Sequence, residues 1–290
     1  MSRYSALTRG LLVIVVILAS LVATLNPDAV QAAHRHRQKQ DIKTDVVRGI
    51  PVPDGKYPFV AAIGLADAAG NFKRQFCGGS LIAPSYVLTA AHCVAGARIQ
   101  NIAVVVGQAA FGTGQGETRT LAAIMIHPAY NHRNLKSDVA VLRLNAPIST
   151  ITPVTVVGAN DGSYETAGTA LTFAGWGNTV RSTLHRNKTR YPERLKEGFI
   201  SVVSDSGCAK KWHSVGVRKS FAPALLICTS ARRFGAGDSG SPLFSTATGS
   251  FVQVSLVSGG FVGTKKKISD FGPQLSEPSI AGFIASAIAS

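Results

Sequence analysis

The sequence predicts an all-β fold, antiparallel strands closed into barrels, finished by a short C-terminal helix. Three observations predict it. Short runs rich in Val, Ile, Thr and Phe recur between Gly, Pro and Asn/Asp breaks, which is the pattern of strands joined by tight turns. No helical segments alternate with these runs, so a parallel α/β sheet is excluded. The apolar spacing changes only near the C-terminus. In chain order the strands are expected at 59–65, 80–89, 102–107, 120–127, 139–144, 170–174, 198–203 and 251–258. Pro278 then suits a first helical turn, and Ile280, Phe283, Ile284 and Ile288 form one apolar stripe at helical spacing.

The N-terminus has a different organisation. Arg3 and Arg9 precede an apolar run over 11–22, and Val30-Gln31-Ala32 supplies small residues before Ala33. Residues 1–32 therefore read as a secretory signal peptide. A membrane anchor is the alternative, for which the apolar run is short of the roughly 20 residues a span needs. Residues 33–45 are polar and basic and read as a propeptide. Beyond the leader no segment is long and apolar enough to cross a bilayer, so the mature protein is expected to be exported and free of a transmembrane span.

The four cysteines fit that compartment as disulfides. No Cys-x-x-Cys or clustered Cys/His spacing supports a metal site. The net charge is +15, of which three charges lie in residues 1–45, leaving +12. Such a field favours polyanions, anionic surfaces or acidic substrates, and it also fits a solvated surface without a dedicated partner. The basic residues concentrate in a loop over 179–194 (Arg181, His185, Arg186, Lys188, Arg190, Arg194), at Lys210-Lys211, and at Lys265-Lys266-Lys267. Asn187-Lys188-Thr189 inside that loop is a glycosylation sequon.

The chemistry lies in three strings: Thr89-Ala90-Ala91-His92-Cys93, Ser137-Asp138-Val139-Ala140-Val141-Leu142 and Gly237-Asp238-Ser239-Gly240-Ser241-Pro242. A serine hydroxyl is a poor nucleophile unless a neighbouring base takes its proton and a third group orients that base. With seven His and many Ser in the chain, each residue type alone is weak evidence. The three contexts together resemble the trypsin/chymotrypsin-like serine peptidases, and the likeness runs from Val46 to the C-terminus. It implies a chymotrypsin-like pair of packed barrels, about 46–155 and 156–275, with the site in the cleft between them.

The resemblance further implies that His92, Asp138 and Ser239 form a catalytic triad, with the backbone N–H groups of Gly237 and Ser239 as the oxyanion hole. It pairs Cys77 with Cys93 and Cys208 with Cys228. It gives Asp238 the new amine of Val46 after propeptide cleavage, and it makes Arg233, Ser258 and Gly260 substrate-binding residues. Neither a metal nor an organic cofactor is implied.

Several residues depart from the family pattern. Asp45, rather than Arg or Lys, precedes Val46; Arg48 stands where Gly is usual; Ser241 replaces a glycine; Gly235 replaces a cysteine; and Gly259 replaces a tryptophan. Arg233 at the pocket floor would repel basic side chains, so cleavage after Asp or Glu is expected, and with Asp45 it suggests that the enzyme processes its own propeptide. The alternatives are a non-catalytic protein of the same fold that binds glycans or membranes through its basic surface, and an esterase-type acyl hydrolase.

Overall fold

The computed structural model describes residues 49–179, 190–213, 222–230, 234–262 and 267–290. The expected leader and propeptide, Asp45, Val46, Arg48, most of the basic loop with Asn187, Arg233 and Lys265-Lys266 lie outside the described residues. Among the described residues no helix is long and apolar enough to cross a membrane.

The first half contains β1 (Ile50–Pro51), β2 (Val60–Ala66), β3 (Phe72–Ala83), β4 (Tyr86–Thr89), the one-turn helix α1 (Ala91–Val94), β5 (Ile102–Val106), β6 (Glu117–Ile126) and β7 (Ala140–Leu144). Six of these strands close into an antiparallel barrel in the order β2-β3-β4-β7-β6-β5. Its core is built from Ile63, Leu81, Leu88, Val104, Val141 and Leu142, all fully buried. Register shifts in the β2/β3, β3/β4 and β6/β7 ladders add the local twist that lets so few strands curl shut. The expected run over 80–89 divides at Pro84-Ser85, because proline has no N–H to give to a ladder.

The second half contains β8 (Thr155–Val156), β9 (Ala170–Gly175), β10 (Lys196–Val203), α2 (Asp205–His213), β11 (Leu226–Thr229), β12 (Pro242–Ser245), β13 (Val252–Leu256), β14 (Gly259–Val262), β15 (Lys267–Pro273) and α3 (Pro278–Ile288). Here the expectation of a second closed barrel is met only in part, because among the described residues the second sheet does not close. The strands form an open nine-stranded sheet, β14-β15-β11-β10-β9-β12-β13-β8, with β1 also paired to β10. One end is β8, only two residues long and joined in parallel to β13. The other is β14, which opens on Gly259-Gly260. Such short ends offer little ladder for a closing pair.

The two halves meet through aromatic side chains. Phe59, at the entry to β2, packs edge-on against Phe244 of β12 at 5.3 Å, and Tyr57 does the same at 5.0 Å. Polar bridges fix the register of the contact: Ser80 Oγ donates to Gln253 Oε1 at 2.6 Å inside it. Nearby the buried Glu197 carboxylate accepts from Lys56 Nζ at 2.7 Å and from the Tyr57 hydroxyl at 2.5 Å. Helix α3 has the expected proline in its first turn, and the structure adds a cap in which the Glu277 side chain accepts the Ile280 N–H at 3.0 Å. Ile280, Ile284 and Ala287 form its buried face, and Phe283 packs on the His127 ring at 5.1 Å.

Candidate active site

His92 lies on α1, directly after β4, and Cys93 beside it is bonded to Cys77 of β3 across a Cα separation of 6.3 Å. The bridge ties this single helical turn to the barrel wall. Cys208 of α2 is bonded to Cys228 of β11 in the other half. The donor atoms of Cys77, His92 and Cys93 lie within 4.8 Å of one another. Because the two sulfurs are bonded to each other, they offer no thiolate to a metal.

Asp138 precedes β7 and is wholly buried. Its carboxylate accepts the His92 backbone N–H at 2.8 Å and faces His92 Nδ1 at 2.7 Å. The Ser258 hydroxyl also donates to it. Ionised carboxylates only accept, so Nδ1 carries the hydrogen, and in the neutral ring Nε2 then holds the lone pair. Two non-glycine residues just before Asp138, Leu135 and Ser137, have φ of 55° and 49°. This strained approach is of the kind found where a fold holds a side chain in one position.

Ser239 sits in the loop leading to β12. Its carbonyl accepts the Gly78 N–H at 2.7 Å, and the next residue, Gly240, donates to Val257 O at 2.7 Å. The two bonds fasten the loop to β3 of the barrel and to the chain leaving β13. Gly240 has φ +81°, and a Cβ there would stand 2.3 Å from Gly78 O and 2.2 Å from Thr89 Oγ1. Only glycine fits. Cys93 Sγ lies 3.9 Å from His92 Nε2 and 3.7 Å from Ser239 O, so the imidazole edge and the serine backbone meet at the disulfide. Among the described residues the Ser239 hydroxyl has no hydrogen-bond partner, and the N–H groups of Gly237 (φ +94°) and Ser239 have no acceptor.

Asp238 is buried between these residues. It accepts the N–H groups of Gly177 and Gly235, each at 2.7 Å. Burial pushes its carboxyl up to about 7, against the pull of those two hydrogen bonds, and the neighbouring Asp270 charge adds to the rise. Among the described residues no cation pairs with it. Gly175 and Gly177 make room for this carboxylate, since a Cβ on either would come within 2.4 Å of it.

Two of the unusual glycines acquire a packing reason. A Cβ on Gly235 would lie 2.1 Å from Asn178 O, which leaves no space for the family's cysteine. At Gly259 the nearest atoms are Phe271 Cζ at 3.0 Å and Leu135 Cδ1 at 3.3 Å, so neighbouring side chains take up the volume of the missing tryptophan. Ser258, expected only as a substrate-binding residue, is committed to Asp138. Gly260 lies against a residue that the sequence reading passed over: its Cβ position is 2.2 Å from Asp270 Oδ1. Asp270 is buried and accepts the Phe234 N–H at 2.9 Å. No local motif marks it.

Residues 46–272 match the family model described as Trypsin. The chain is 31% identical over 191 residues to a trypsin of Saccharopolyspora erythraea, covering 64% of this chain and 76% of that one. It is 30% identical over 223 residues to serine protease 28 of Mus musculus, covering 74% and 80%. To trypsin, alkaline C of Manduca sexta it is 30% identical over 205 residues, covering 69% and 76%.

Proposed function

Because the chain belongs to the trypsin family of serine peptidases, we propose that it is a secreted endopeptidase made as a proenzyme, with leader 1–32, propeptide 33–45 and a peptidase domain from Val46. The observation that carries the reading is the His92 Nδ1 to Asp138 contact at 2.7 Å, on a buried carboxylate. It orients the ring and leaves Nε2 as a base on the side of Ser239.

Ser239 Oγ attacks the scissile carbonyl as His92 Nε2 takes its proton. The C–N bond then breaks with that proton passing to the leaving amine, and water repeats the sequence on the acyl-enzyme. Asp138 orients the imidazole and stabilises its cationic form, and Ser258 holds Asp138. The N–H groups of Gly237 and Ser239 take the developing oxyanion; losing one such donor typically costs about 100- to 1000-fold in turnover. After cleavage the Val46 amine supplies the cation that Asp238 lacks. No cofactor takes part in these steps.

For specificity, the reading based on Arg233 is cleavage after Asp or Glu. Asp270, with its carboxylate against Gly260, favours a second reading in which a cationic side chain is preferred. A peptide library separates them. Peptide hydrolysis by the purified secreted protein, lost in Ser239→Ala and His92→Ala, tests the function itself. A Ser239→Ala protein that kept its biological effect would instead support the glycan- or membrane-binding alternative, and hydrolysis of esters without peptides would support the acyl-hydrolase alternative. N-terminal sequencing of secreted material should find Val46 at the start.

A further inference from the structure

The Cys77–Cys93 bridge places two sulfurs beside the atom that serves as base. Cys93 Sγ lies 3.9 Å from His92 Nε2, and the donor atoms of Cys77, Cys93 and His92 all lie within 4.8 Å of one another. Two thiolates and an imidazole on one tetrahedral zinc stand about 3.5–3.8 Å apart, given Zn–S near 2.3 Å and Zn–N near 2.0 Å. The three side chains are thus gathered at the spacing of a zinc site, and the sulfur–sulfur bond is what denies the metal its thiolates.

The imidazole is already prepared as a ligand. Asp138, wholly buried, holds Nδ1 at 2.7 Å and is itself fixed by the His92 backbone N–H and the Ser258 hydroxyl. A carboxylate behind the far nitrogen is the arrangement that orients a metal-binding histidine and raises its basicity. The charges also balance, because two thiolates neutralise a divalent ion, and soft sulfur ligands favour zinc over calcium or magnesium. Access is open from the cleft, since the His92 side chain is 27% exposed.

We propose that reduction of the Cys77–Cys93 bridge converts the active site into a zinc site, with Cys77 Sγ, Cys93 Sγ and His92 Nε2 as protein ligands and water as the fourth, and that the bound metal switches the enzyme off. A dithiol supplies the two electrons. Its two S–H bonds and the protein's S–S bond break, two cysteine thiols form, and the reductant leaves as a cyclic disulfide. Zinc then displaces both thiol protons and takes the Nε2 lone pair, the one that would accept the Ser239 proton. Exchange with a disulfide compound reverses the change: the bridge re-forms, two protons are taken up as the disulfide becomes two thiols, and the metal is released. The switch rests on the peptidase reading, whereas the metal site does not.

The test has two arms. In the first, Ser239→Ala protein, which cannot cut itself, is reduced with dithiothreitol, freed of the reductant under argon and titrated with cobalt(II) as a coloured substitute for zinc. One cobalt per chain should bind with thiolate-to-metal charge-transfer and tetrahedral d–d bands, and zinc should bleach them. Unreduced protein, and protein carrying Cys77→Ser with Cys93→Ser, should show neither band. Asp138→Asn should weaken the affinity about 10- to 100-fold, the usual effect of removing a partner behind a metal-bound histidine. A chain that collects metal through its cysteines alone has no such dependence. No bands after reduction, bands that persist without Cys77 and Cys93, an affinity unchanged in Asp138→Asn, or loss of the native near-ultraviolet circular dichroism on reduction each overturn the proposal. In the second arm, reduced wild-type enzyme should lose peptide hydrolysis on adding one equivalent of zinc and regain it with a chelator, while unreduced enzyme is unaffected. Hydrolysis that continues with zinc bound overturns the switch. Metal binding in the first arm with no hydrolysis by any form in the second counts against the peptidase reading alone.

Discussion

In the unprocessed protein Asp238 is a buried acid whose folded-state value stands near 7 against an ordinary 3.8. The unfolded chain releases this proton near pH 4, while the folded protein keeps it until about pH 7. The folded state therefore binds more protons between those values, and stability falls as pH rises through that window. The gap corresponds to on the order of 4 kcal/mol, fully lost above about pH 7. The assay is urea unfolding at pH 4.5 and pH 8 on three proteins, all carrying Ser239→Ala to prevent self-cleavage: unprocessed, unprocessed with Asp238→Asn, and processed to Val46. The unprocessed protein should lose several kcal/mol more than its Asp238→Asn counterpart between the two pH values. The asparagine protein carries a constant penalty, because its amide faces the Gly235 N–H, but that penalty has no slope. Processing should restore stability at pH 8, as the Val46 amine pairs with the charged carboxylate. Identical pH slopes for the first two proteins would refute the reasoning.

Three further outcomes follow from named contacts. Ser258→Ala removes one donor from the buried Asp138 carboxylate and should lower kcat about 10- to 100-fold with little change in KM, read from steady-state kinetics on one peptide. Gly240→Ala should destabilise the protein by roughly 2–4 kcal/mol in urea unfolding, since the new Cβ meets Gly78 O at 2.3 Å with φ at +81°. Replacing Cys77 and Cys93 together by serine opens a loop of sequence separation 16; the midpoint should fall by an amount equivalent to about 3 kcal/mol.

The parts of this molecule legible in its sequence are those whose signals are local. The strings around His92, Asp138 and Ser239 identify the family, and the alternating runs locate most barrel strands to within a few residues. The stripe from Ile280 to Ile288 marks α3, because Pro278 gives it a recognisable start. Helix α2 was hidden: Gly207 and the Lys210-Lys211 pair make 205–213 look like an exposed basic stretch, although Cys208 and Trp212 are buried. The openness of the second sheet was hidden too, since closure depends on the pairing of edge strands as short as β8. Within the site, the Ser258 contact to Asp138 spans 120 positions of sequence. A cavity walled by Phe72, Phe111 and Trp176 is assembled from residues between Phe72 and Gly237. Neither has a local pattern, because each exists only once the two halves are packed together.

The central claim is that Ser239 is a nucleophile activated by His92. Its most direct measurement is reaction of the purified secreted protein with a fluorophosphonate, followed by peptide mass mapping. The account requires one phosphonate per molecule, on Ser239, formed with the same pH dependence as peptide hydrolysis and absent from His92→Ala. Labelling of another residue, or equally fast labelling of Ser239 in His92→Ala, would contradict it.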